Sequence, residues 1–160
     1  MSKVTLDTVI DHLLAALKEG LDGPGKIGFF TDSGPDAGLA KTLGALSASE
    51  ASRVTGGTSI ASHAYHLVFS LHATVLYMGG DKTPQDWEKS WSVVSVTEPT
   101  WKKLQDDLKA AFEETKKAVE TFGKTGFIAA GLAVGAPTHV AYHLGAIRQK
   151  VAFLKAMKGR

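Results

Sequence analysis

The stretch SIASHAYHLVFSLHATVLYM (residues 59–78) decides the fold class of this chain. It contains no Asp, Glu, Lys or Arg, and its apolar residues recur at the spacing of one helix face. Its length is that of a membrane span, but the imidazoles of His63, His66 and His72 would be costly in hydrocarbon. The stretch therefore predicts a long helix buried inside a soluble domain, with Ser59 or Thr58 as its N-cap.

Similar periodic patterns on either side predict three more long helices. The first ends near Gly20, the third begins at Thr97 with Pro99 in its first turn, and the last opens at Pro137. The glycine-rich segment 20–38 and a short helical piece over 37–53 connect the first two long helices. We therefore expect one all-α domain over residues 1–160, a four-helix bundle with a long first crossover connection.

The composition excludes several classes of function. The chain has 160 residues, 44% of them hydrophobic, with a net charge of +2 and no basic stripe, so neither disorder nor nucleic-acid binding is expected. It has no cysteine, which excludes a thiolate zinc site and a cysteine nucleophile. The N-terminal residues lack an apolar signal core, and a cytoplasmic location without membrane attachment is expected. The six histidines are the remaining candidates for chemistry.

Two of these histidines are spaced as metal ligands. His139 and His143 lie one turn apart on the last helix, and a third imidazole from His63 or His66 would complete a site suited to zinc, nickel or iron. The stretch HVAYH lacks the Glu of zinc proteases, which excludes the simplest metalloprotease. The alternative is that these histidines are packed in the core and bind no metal.

The pairing of Ser59-Ile60 with His66-Leu67, followed much later by HVAYHLGAI (residues 139–147), resembles the DinB-like (DinB/YfiT) superfamily. The stretch from Asp86-Trp87 to Trp91 is similar to a tryptophan-bearing loop in one branch of it. The resemblance implies a four-helix bundle that binds nickel or zinc. Its implied ligands are His66, His139 and His143, with His63, one turn before His66, as a residue that contacts a ligand from behind or as the alternative ligand.

The resemblance also implies two kinds of function. One is a metal-dependent enzyme, a thiol S-transferase that uses a low-molecular-weight thiol or a hydrolase, acting on a small molecule. Its substrate contacts would come from Trp87, Trp91, Tyr142 and the segment 20–38 acting as a lid. The other is a non-catalytic metal-binding or stress-response module. By the same analogy the chain is expected to form a homodimer.

Overall fold

The computed structural model describes residues 3–32, 34 and 37–158. These residues form six α-helices, a 3-10 turn at Lys89–Trp91 and no β-strand; one isolated bridge joins Thr55 and Thr58. In chain order the helices are α1 (Leu6–Asp22), α2 (Leu39–Gly44), α3 (Ala48–Ala51), α4 (Ile60–Met78), α5 (Glu98–Phe122) and α6 (Phe127–Lys158). The expectation of an all-α chain is confirmed for this part of the sequence.

Local capping explains where the long helices begin. The side-chain oxygens of Thr5, Ser59 and Thr97 each accept a hydrogen bond from a backbone N–H in the first turn of α1, α4 and α5. Each satisfies one of the backbone donors that a helix start leaves without an intrahelical partner. The predicted starts of α4 and α5 are confirmed, and Ser59, not Thr58, caps α4.

The four long helices pack side by side, and α4 contacts both α5 and α6 while α1 contacts both of the same helices. Because α4 is packed between neighbours, most of its residues are buried, which accounts for its lack of charge. The core contains the largest fully buried side chains, which include Leu17, Leu39, Ile60, Leu67, Trp101, Phe112, Leu144 and Ile147. No helix in the described part of the chain combines the length and apolar character needed to cross a bilayer.

The last helix begins earlier than the sequence predicts. α6 starts at Phe127 and continues through Pro137, where a helix start was expected. Proline removes one helical hydrogen bond and is unfavourable inside a helix. Here the buried face of Ala129, Ala133 and Ala136 packs against the rest of the protein, and that tertiary packing outweighs the local preference.

A buried carboxylate holds part of the glycine-rich connection against α1. The Glu19 side chain accepts hydrogen bonds from the backbone N–H groups of Phe29, Phe30 and Thr31 and from the Thr31 hydroxyl. The segment also lines a cavity of about 470 Å³ beside α1. Residues 33, 35 and 36 of the predicted lid lie outside the described residues.

Candidate metal centre

His66 of α4 and His139 and His143 of α6 come together between the two helices. Each offers one ring nitrogen, and the three nitrogens lie within 4.8 Å of one another. His66 Nε2 lies 3.1 Å from His139 Nε2. His139 and His143 share a helix face because they are four residues apart, and the packing of α4 on α6 supplies His66.

The three imidazoles differ in exposure. His66 is 6% and His143 2% exposed, whereas His139 is only partly buried, so His139 is the most exposed of the three. Burial, together with the neighbouring imidazoles, lowers the pKa of His66 to about 4 and that of His143 to about 3. Burial also lowers the pKa of His139. At neutral pH the rings are therefore neutral, the form that binds a metal ion.

Ser90 sets the tautomer of His66. The Ser90 hydroxyl donates to the Trp87 carbonyl at 2.6 Å, and the same Oγ lies 2.8 Å from His66 Nδ1. Since a serine has only one hydroxyl proton, His66 Nδ1–H must donate to Ser90 Oγ. The lone pair of the neutral ring is then on Nε2, the nitrogen that faces His139.

Aromatic side chains cover the histidine group. Trp91 stacks on His66 with ring centroids 4.2 Å apart and an interplanar angle of 19°, while Trp87 lies 6.4 Å from the same ring. Tyr142 contacts His143 edge-on, at 5.0 Å. The three aromatics predicted as substrate contacts therefore lie around the histidines. Two of them, Trp87 and Tyr142, are also exposed.

His63 lies beside this group and outside the set of three. Its Nδ1 is 2.9 Å from His143 Nδ1, and its Nε2 is 3.1 Å from the hydroxyl of Thr58. Burial and the nearby Lys150 charge lower its pKa to about 4. The remaining two histidines, His12 and His72, are exposed.

Sequence reasoning did not identify two polar residues that contact these buried histidines, Ser90 at His66 and Thr58 at His63. Ser90 is fully buried against His66 but lies in a connection with no periodic pattern, so nothing in the sequence marks it. The sequence predicts Thr58 only as a candidate helix cap, whereas its hydroxyl contacts His63. Such contacts depend on how a loop folds over a helix, which residue spacing does not encode.

Comparison of the chain with family models, curated proteins and solved structures finds no match.

Proposed function

We propose that this chain is a DinB-like four-helix bundle that binds one divalent metal ion through His66, His139 and His143. The convergence of these three imidazoles from two helices carries the proposal. The helix order supports it too, because one ligand lies on the second long helix and a spaced pair lies on the last. The long connection between α1 and α4 supplies the crossover of such a bundle.

The donor set fits zinc, nickel or iron. Three neutral imidazoles without a carboxylate or thiolate suit these borderline ions better than calcium or magnesium. Two nitrogens that bind one tetrahedral zinc at about 2.0–2.1 Å lie roughly 3.3 Å apart. The 3.1 Å between His66 Nε2 and His139 Nε2 is close to that separation.

We infer that the site belongs to a metal-dependent enzyme of the thiol-transferase or hydrolase kind, acting on a small molecule. A divalent ion supplies a Lewis acid that lowers the pKa of a coordinated thiol or water. In this chain Ser90 orients the His66 ring, and Trp91 covers the site by stacking on it. The proposal includes a homodimer and a cytoplasmic location.

Metal analysis of untagged protein, purified without chelators, tests the site. We expect about one zinc or nickel per chain in the wild type, and its loss in His66→Ala with the helical circular dichroism retained. His72→Ala is the matched control, since His72 lies on the same helix but is exposed, and it should keep the metal. Metal retained in His66→Ala, or absent from the wild type after reconstitution, contradicts the proposal.

A non-catalytic metal-binding module is the alternative, and the enclosure of the histidine group favours it. Two of the three rings are buried, and Trp91 stacks on one of them. Cobalt-substituted protein titrated with a small thiol distinguishes the two functions. The chain has no cysteine, so a sulfur-to-cobalt charge-transfer band arises only if the added thiol reaches the ion. A band supports the enzyme, and its absence supports the closed module.

A further inference from the structure

A chain of hydrogen bonds runs into the candidate metal centre from the turn before α4. Lys150 Nζ donates to the carbonyl of Thr58 at 3.1 Å and also to that of Thr55, which ties the turn to α6. The Thr58 hydroxyl contacts His63 Nε2, and His63 Nδ1 contacts His143 Nδ1. The hydrogen bond to His63 occupies Nδ1 of His143, so Nε2 is the nitrogen left for a metal ion.

The direction of these hydrogen bonds determines whether His143 can bind metal. A neutral imidazole carries one N–H, so of two rings joined Nδ1 to Nδ1 one donates and the other accepts. If His143 donates, its Nε2 keeps a lone pair, and His63 Nε2–H donates to the Thr58 hydroxyl. If His63 donates, the proton of His143 is on Nε2 and that nitrogen cannot be a ligand. Only donation by His143 Nδ1–H to His63 Nδ1 is therefore compatible with metal binding by His143 Nε2.

We propose that His63 is a positioning residue that accepts a hydrogen bond from His143 Nδ1–H and thereby holds His143 in its Nε2-ligating tautomer. Thr58 completes the arrangement by accepting from His63 Nε2–H. His63 acts on His143 as Ser90 acts on His66, although it comes from α4 and Ser90 from the 3-10 turn. The inference rests on the metal site proposed above and assigns His63 a role outside the ligand set.

Two substitutions separate hydrogen bonding from packing. His63→Leu fills similar space without an acceptor, and we expect it to weaken zinc binding roughly 10–100-fold, as the loss of a ligand's outer partner does. His63→Asn places a carbonyl oxygen near the position of Nδ1 and should retain most of the affinity. This contrast matters because His63 also packs edge-on against Trp91, at 5.4 Å.

The measurement is the zinc dissociation constant of the full chain, obtained by competition with a chelating dye. Nitrogen NMR of the zinc-loaded wild type should show His143 coordinated through Nε2 with its Nδ1 protonated. If His63→Leu fails to fold, Thr58→Val removes only the hydroxyl that accepts from His63, and a smaller loss of affinity is expected.

The outcomes distinguish this inference from the proposed function. Zinc bound by the wild type and equally tightly by His63→Leu overturns the role of His63 and leaves the metal site standing. An equal loss in the Leu and Asn variants assigns the effect to packing and overturns the acceptor role, as does ligation through Nδ1 of His143. A wild type that binds no zinc overturns both proposals.

Discussion

At the scale of single residues, Glu19 shows how one buried carboxylate can order a glycine-rich segment. Its Oε2 accepts from Phe29 N–H at 2.6 Å, and its Oε1 accepts from Phe30 N–H at 2.9 Å and from Thr31 N–H at 2.6 Å. Burial on its own raises the pKa of Glu19, but the hydrogen bonds from the Thr31 hydroxyl and from these three backbone N–H groups outweigh it and hold the pKa below the ordinary value of 4.5. The segment is therefore ordered by the ionised carboxylate.

We predict that Glu19→Gln lowers the free energy of unfolding by about 1–3 kcal/mol at pH 7. The amide NH₂ group is itself a donor, so it cannot accept the backbone N–H hydrogen bonds that the carboxylate accepts. Urea denaturation measures the change. Asp106→Asn is the control: Asp106 forms an exposed pair with Lys102, and such pairs contribute at most about 1 kcal/mol.

The same substitution should change how stability depends on pH. Since folding lowers the pKa of Glu19, its contribution is complete above about pH 4.5 and is lost as the pH falls through the folded pKa. The Glu19→Gln protein should therefore lack this part of the loss of folding stability at low pH. The Glu50 carboxylate, whose pKa is lowered to about 2 by its hydrogen bonds to Lys158 and Ser47, contributes equally in both proteins. Superimposable pH profiles for the two proteins would refute the assignment.

At the scale of helices, the close approach of α1 to α6 requires a glycine. A Cβ placed on Gly20 would lie 2.3 Å from Val140 Cγ1, well inside any normal contact. Val140 is fully buried and follows His139 directly, so this contact helps to set the position of the α6 turn that carries His139 and His143. The crossing of α1 and α6 therefore bears on the geometry of the histidine group.

Gly20→Ala should destabilise the protein by about 1–3 kcal/mol through overpacking. Gly135→Ala is the matched control, because Gly135 lies in α6 with open space around its Cβ position, and it should stabilise by roughly 0.5–1 kcal/mol. Urea unfolding of both variants measures the difference. In a Val140→Ala background the Gly20 substitution should cost less, and a full cost there would rule out this contact as the cause.

At the scale of the whole molecule, the candidate site links segments that are far apart in sequence. His66 and His139 are 73 residues apart, and an unfolded chain does not hold them together. An ion that binds only the folded state therefore stabilises it. At a free concentration one hundred times the dissociation constant, the gain is about 2.7 kcal/mol.

Saturating zinc should accordingly raise the melting temperature of the wild type by roughly 5–10 °C. His139→Ala/His143→Ala should show no such rise, while His72→Ala should show the full one. Differential scanning calorimetry with and without zinc makes the comparison. An equal rise in the double variant would place the bound zinc elsewhere on the protein.

Much of the helical structure was predictable because its signals are local. Ser59 and Thr97 cap α4 and α5 through hydrogen bonds within four residues, and the predicted end of α4 near Met78 agrees with the structure. The start of α6 was not predictable from Pro137, because the alanine face of the turns before it packs against other helices, and that tertiary packing overrides a local helix breaker.

The sequence by itself determined the all-helical class, the buried character of α4 and the shared face of His139 and His143. These follow from residue spacing, since a helix turns by a known angle per residue. Only the tertiary structure decided that His66 faces His139, that His63 contacts His143, and that Ser90 and Trp91 close over the group. Spacing gives each residue an angle about its own helix axis. The rotation and axial position of one helix against another depend on side-chain packing along the whole interface.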